Sequence, residues 1–217
     1  MKNKFLILLL SLFFISSNQN FPQKSKLFNA IEFTSNYILS KEYYNNLKNK
    51  FDLQLIDLIY NNQLKHQKMD IKEALLSLTF ALVQVRVVSI NFPILGTINY
   101  PLVSVNDSLF ELKNKFLPKQ VFWDSNLNDF GDKDKLSHFF GSAFISYNSN
   151  IFDFGDLIGY FIEVFEEVFQ IQSSIDKRDM MTNYLGNIFG DLLKYNKNIL
   201  PSQVLITNTL IYFNYNL

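Results

Sequence analysis

Between residues 132 and 193, polar and small side chains recur at helical spacing in three successive segments, and this pattern narrows the possible folds more than any other. Residues three and four apart share one face of a helix. In the first segment, 132–147, Asp134 and His138 align with Gly141 or Ser142 and then Ile145. In the second, 151–172, Gly155 and Gly159 align with Glu163, Glu166 or Glu167, and Gln170. In the third, 177–194, Asp179 and Asn183 align with Gly186 and Gly190. The order is polar then small, small then polar, polar then small. Short links favour antiparallel neighbours, and an up-down-up arrangement then gathers every polar half at one end. The expectation is an antiparallel three-helix unit whose glycines let backbones approach closely. Its polar cluster would comprise Asp134, His138, Glu163, Glu166 or Glu167, Gln170, Asp179 and Asn183.

Outside its polar stripe the middle segment is apolar almost all round (Phe154, Leu157, Phe161, Ile162, Val164, Phe165, Val168, Phe169). Its acidic residues make it too costly as a membrane span, so a core helix with an inward acidic stripe is expected. Buried carboxylates must be paired, hydrogen-bonded or metal-bound, and nearby cations are few: Lys135, Lys177 and Arg178 besides His138. Two readings are open. In one, the cluster is architectural, with His138 protonated between carboxylates and Asn183 or Asp179 capping backbone groups. In the other it is a site, with Asp134, His138, Glu163, Glu167, Asp179 and Asn183 as candidate catalytic residues. There His138 with Glu163, Glu167 and Asp179 would hold one divalent metal ion or form an acid–base pair.

The rest of the chain also reads as mainly helical. From residue 27 to about 63, Tyr44, Leu47, Phe51, Leu55 and Leu58 form one apolar stripe. Asp70 is an N-cap candidate with Glu73 three positions on, the spacing of a capping box. A small β element is expected at about 83–105 and 203–216. The first stretch is uncharged after Arg86 and broken by Pro93, Gly96 and Pro101, which suggests a hairpin turning near Gly96. The second, VLITNTLIYFNYNL, alternates roughly between polar and apolar and would pair with the first. His66 lies among polar residues and is expected in solvent.

The first residues read as an export signal: Lys2 and Lys4, an apolar run over 5–15, then Ser16 and Ser17 as a small-residue cleavage site. The expected organisation is a signal peptide over 1–17, a disordered leader over 18–26 and a single helical domain over 27–217. At 217 residues, 48% of them hydrophobic, the chain is long enough for that domain to bury a substantial core.

Composition also excludes several functions. Formal net charge is zero with no basic stripe, which argues against nucleic acid as a partner. There is no cysteine, hence no disulfide, no cysteine-ligated zinc and no lipid-accepting thiol. Neither a G-x-S-x-G elbow nor a Gly-rich phosphate loop is found, and Ser137 and Ser142 lack a base on their own face. Asp124, Asn126 and Asn128 begin a calcium-loop rhythm, but Asp129 stands where glycine is required and Lys135 where glutamate is.

D-K-x-x-H-F at 134–139, the acidic middle segment with Glu167 and Gln170, and D-x-x-x-N-x-x-G-x-x-x-G at 179–190 resemble two groups. One is the YfiM-like group of periplasmic lipoproteins, the other the VanZ-like family of small helical membrane proteins. The resemblance covers the region from Lys133 to Leu192 and lies nearer the YfiM-like group. It implies a helical protein exported to the periplasm or cell envelope, and no particular reaction. The function expected is that of an envelope protein with a mainly architectural cluster and an envelope protein or lipid as partner, its oligomeric state left open. The alternative is a metal-dependent hydrolase acting on an envelope lipid or cell-wall phosphate.

Overall fold

The computed structural model describes residues 22–92, 96–148 and 177–216. They form a mainly α fold with a small β element. In chain order the helices are α1 (Pro22–Ile38), α2 (Lys41–Leu47), α3 (Asp52–His66) and α4 (Ile71–Leu82). Strands β1 (Val87–Phe92) and β2 (Gly96–Pro101) follow, then α5 (Asp107–Lys115), α6 (Lys133–Asn148), α7 (Lys177–Tyr195) and α8 (Pro201–Asn216).

One hydrophobic cluster runs through these helices. Helix α4 and the first three turns of α6 are buried nearly all round. They face each other; α1 and α3 pack against α4, and α7 packs against α6. Tyr60 of α3 marks the junction: its ring stacks on Phe140 of α6 at 6.2 Å and meets Phe189 of α7 edge-on at 5.5 Å. Phe139 stacks on Phe189 at 5.2 Å, so aromatic surface from three helices fills the centre.

Local signals set most boundaries. The Asp70 carboxylate accepts from the Glu73 amide and starts α4, as the sequence spacing predicts. Asn106 does the same for α5 through the Leu109 amide. Asp52 and Asp57, both on α3, organise distant chain. Asp52 accepts from the amides of Lys119 and Gln120, and Asp57 from the amide and hydroxyl of Ser202. In the loop before α6, Gly131 has φ +54 and lies directly on the Lys119 carbonyl, where a Cβ would overlap it.

Three expectations are corrected. The stretch 203–216 is not a strand: it lies in α8 and pairs with no part of 83–105. Pro201 sits in the first helical turn, the Gln203 side chain accepts from the Leu200 amide, and Asp57 holds Ser202. Val204 and Leu205 are then buried, so capping and docking override β propensity. The β element is instead a self-paired antiparallel hairpin, Val87 opposite Pro101 and Phe92 opposite Gly96, as the turn signal near Gly96 implied. Second, the stripe from Tyr44 to Leu58 is interrupted. Helix α2 ends at Leu47, Phe51 is the exposed N-cap of α3, and the break resets the helical phase. The buried face of α3 is Leu55, Ile56, Ile59, Tyr60, Gln63 and Leu64. Third, α1 begins at Pro22, inside the stretch 18–26 expected to be irregular.

Helix α5 carries a buried cation. The side chain of Lys113 is fully enclosed, with Nζ donating to the Val83 carbonyl at 3.2 Å and to Asn114 Oδ1 at 2.6 Å, 4.6 Å from the centre of the Phe110 ring. Burial pushes its ammonium down to about 7.

Candidate functional site

Helices α6 and α7 cross with their polar ends together. Contacts advance in the same direction along both: residues 135 and 138 meet 179, 138 and 142 meet 183, 139 and 142 meet 186, 143 and 147 meet 190. The two helices are therefore parallel, as the first and third members of an up-down-up unit must be. Their close approach depends on glycine. A Cβ at Gly186 would overlap the Phe139 carbonyl oxygen, and one at Gly190 the Ala143 carbonyl oxygen.

At the polar end, Asp134, His138, Asp179 and Asn183 come together as the spacing predicts. Glu163, Glu166, Glu167 and Gln170 lie outside the described residues. The middle of the group is a lysine. Lys135 Nζ bonds Asp134 Oδ2 at 2.9 Å and makes an ion pair with Asp179 Oδ1 across the helix crossing. Burial disfavours its charge, but the two carboxylates outweigh that cost and its pKa is raised.

His138 is held differently from the protonated imidazole expected. Its Nδ1 lies 3.2 Å from Asn183 Oδ1, its Nε2 3.8 Å from Asp179 Oδ1. Burial lowers its pKa; Asp179 and the Asn183 bond oppose this without overcoming it, and neighbouring Lys135 adds to the lowering. The charged form of the imidazole is thus disfavoured, and with Asn183 Oδ1 as acceptor Nδ1 carries a proton. Ser142 Oγ also donates to Asn183 Oδ1, at 3.1 Å. Asn183 therefore bridges two α6 side chains and, among the described residues, caps no backbone group. A lysine, Lys135, places a positive charge between Asp134 and Asp179.

A second ion pair continues this end of the molecule. Arg178, beside Asp179, binds the buried carboxylate of Asp132 and, through its other nitrogen, the carbonyl and carboxylate of Asp124 at 2.9 Å each. Asp132 also accepts from Ser125 and from the Phe122 amide, so Arg178 ties α7 to the loop before α6. In that loop Asn128 accepts from the amides of Phe130 and Gly131, and Asp129 pairs with Lys119. Asp124, Asn128 and Asp129 of the calcium-like rhythm are thus engaged within the protein.

Lys135, His138 and Asp179 are each less than a tenth exposed. A lysine held charged is no nucleophile. Ser137 donates to the Asp134 carbonyl and Ser142 to Asn183, so neither bonds a base among the described residues. Among the described residues no three His, Asp or Glu side chains are placed to hold a metal. One oxygen stands apart: Asp134 Oδ1 is buried without a hydrogen-bond partner.

The sequence places Lys135 only among the nearby cations and misses its central role, along with that of Asp132. The signal was available, since Lys135, Phe139 and Ser142 share a face at i, i+4 and i+7. His66 is exposed as expected, with one ring face stacked on Phe33 at 3.7 Å. No helix among the described residues is long and apolar enough to cross a membrane. Comparison with protein-family models, with curated proteins and with solved structures finds no match for this chain.

Proposed function

We propose that the chain is an exported cell-envelope protein, related to the YfiM-like group, whose polar cluster is architectural and whose function is exercised by binding at its surface. One observation carries this reading. The Lys135 ammonium lies between Asp134 and Asp179, where a metal or a substrate cation would otherwise be expected. Carboxylates paired with Lys135 beside a buried imidazole make a lock between helices. The exported setting rests on Lys2, Lys4 and the apolar run over 5–15, and the relationship on the motifs at 134–139 and 179–190.

The hydrolase alternative draws on the unpartnered Asp134 Oδ1, together with Glu163 and Glu167 as further ligands. Metal content separates the two readings. The protein, purified without chelator, is analysed for divalent metals beside His138→Ala. The architectural reading expects no stoichiometric metal in either, and a lower melting temperature in the variant. A stoichiometric metal in the parent that is lost in the variant would favour the hydrolase.

A further inference from the structure

Helix α5 packs mainly on α1, while the two strands of the hairpin pack chiefly on each other. What ties α5 to the link 83–86, between α4 and β1, is polar. Lys113 Nζ donates to the Val83 carbonyl and to Asn114 Oδ1, and Gln84 Nε2 donates to that same Asn114 oxygen at 3.3 Å. Arg86, at the end of the link, binds the Val105 carbonyl and Asp107 at the start of α5. The donor count then separates the two forms of the lysine. A neutral amine has two N–H groups, and these two acceptors take both. An ammonium has three, and the described residues offer no third acceptor. The Phe110 ring, 4.6 Å from Nζ, already faces the Arg86 guanidinium at 5.4 Å.

We infer that the contact between α5 and the link 83–86 is a proton-operated latch, closed on the neutral Lys113 amine and opening with uptake of one proton as that side chain reaches water. No carboxylate among the described residues balances a charge inside it. Helix α4 carries no charged side chain after Glu73. On α5, Asp107 is bound to Arg86 with its side chain 84% exposed, and Glu111 and Lys115 are exposed. On α1, Lys26 pairs with Glu73, and neither Lys26 nor Glu32 acts on Lys113, whose lowered pKa has burial as its cause. Between the closed value of about 7 and the free value of 10.5, opening takes up a proton, so the latch tightens as pH rises through this window. Below about 7 both forms are protonated and the dependence stops. Opening uncovers Val83 and Phe110, both buried in the closed form, while α6 and α7 stay packed. The latch goes beyond the surface-binding reading above and needs neither the polar cluster nor the export signal.

Native-state hydrogen exchange on the full chain tests this. Protection of the Phe110 and Lys113 amides in α5, relative to an unstructured peptide at the same pH, is compared with that of Phe139 and Phe140 in α6 from about pH 7.5 to 9.5. The expected result is that α5 opens more readily than α6 throughout, and that its protection rises about tenfold per pH unit, about a hundredfold over the range. In Lys113→Met the α5 protection should be higher at the low end and flat with pH. Equal protection in α5 and α6 overturns the proposal, because α5 would then open only with the whole fold. A pH-independent α5 in the parent, or an unchanged slope in Lys113→Met, overturns it as well.

Discussion

Lys135 and Asp179 are separated by 44 positions in sequence and meet as a buried ion pair at the polar end of the α6–α7 crossing. The pair explains why a helix that buries Phe139, Phe140 and Phe144 also turns polar residues inward. A lone carboxylate or ammonium there would be costly, whereas the two together are satisfied and fix the relative height of the helices. Fixing that height also sets Gly186 and Gly190 against the α6 carbonyls.

The small half of the crossing should tolerate no methyl group. In Gly186→Ala or Gly190→Ala the new Cβ meets a backbone carbonyl, which cannot swing away as a side-chain end could. Each substitution is expected to cost about 2 kcal/mol or more, outweighing the gain in helix propensity. Urea unfolding should show this, with Asn187→Ala on the exposed side of α7 within about 0.5 kcal/mol of the parent.

Acidification should act through His138. Burial puts its folded pKa below its unfolded value of 6.5, so the unfolded chain takes up the proton first. The contribution is intact above that value and is lost as pH falls below it. Stability measured between pH 7 and 5 should fall more steeply in the parent than in His138→Gln. Equal slopes would show that the imidazole is not held neutral.

Lys113 gives an effect at higher pH. Its folded pKa of about 7 lies below the 10.5 of the free side chain, so folding sheds a proton between these values and stability rises with pH. The penalty is fully present below about 7 and gone above about 10.5. Lys113→Met is therefore expected to stabilise the protein by about 1–3 kcal/mol at pH 7, after the lost bonds to Val83 and Asn114 are offset. That advantage should shrink when unfolding is repeated at about pH 9.5.

The loop before α6 should open when its inner anchor is removed. Asp132 is 2% exposed and gathers Arg178, Ser125 and the Phe122 amide. Asp132→Ala leaves the partners of a buried carboxylate unsatisfied and should raise hydrogen exchange at Phe122 by about tenfold or more. Exchange within α4 should stay unchanged.

The parts of this architecture visible in the sequence are those set by local spacing. Asp70 caps α4, the hairpin turns near Gly96, and the aligned residues 134, 138, 179, 183, 186 and 190 share an interface because helical periodicity leaves little choice. What escaped the sequence depended on distant partners. Helix α8 alternates like a strand, yet Asp57 on α3 binds Ser202 at its start and the docking of Val204 and Leu205 completes it. The break at 48–51 shifted the buried face of α3, which a continuous period could not reveal. Composition pointed to a cation shortage around the acids. Only the fold could show that Lys135 stands between Asp134 and Asp179 as a balancing charge.

The most direct measurement is a double-mutant cycle between Lys135→Met and Asp179→Asn, read by urea unfolding at pH 7. If the pair is the lock between α6 and α7, each single substitution costs about 3 kcal/mol, and the double mutant costs less than the sum by about 2 kcal/mol or more. Additive costs, to within about 0.5 kcal/mol, would contradict the account: Lys135 and Asp179 would then stabilise the fold separately, and the cluster would need another explanation.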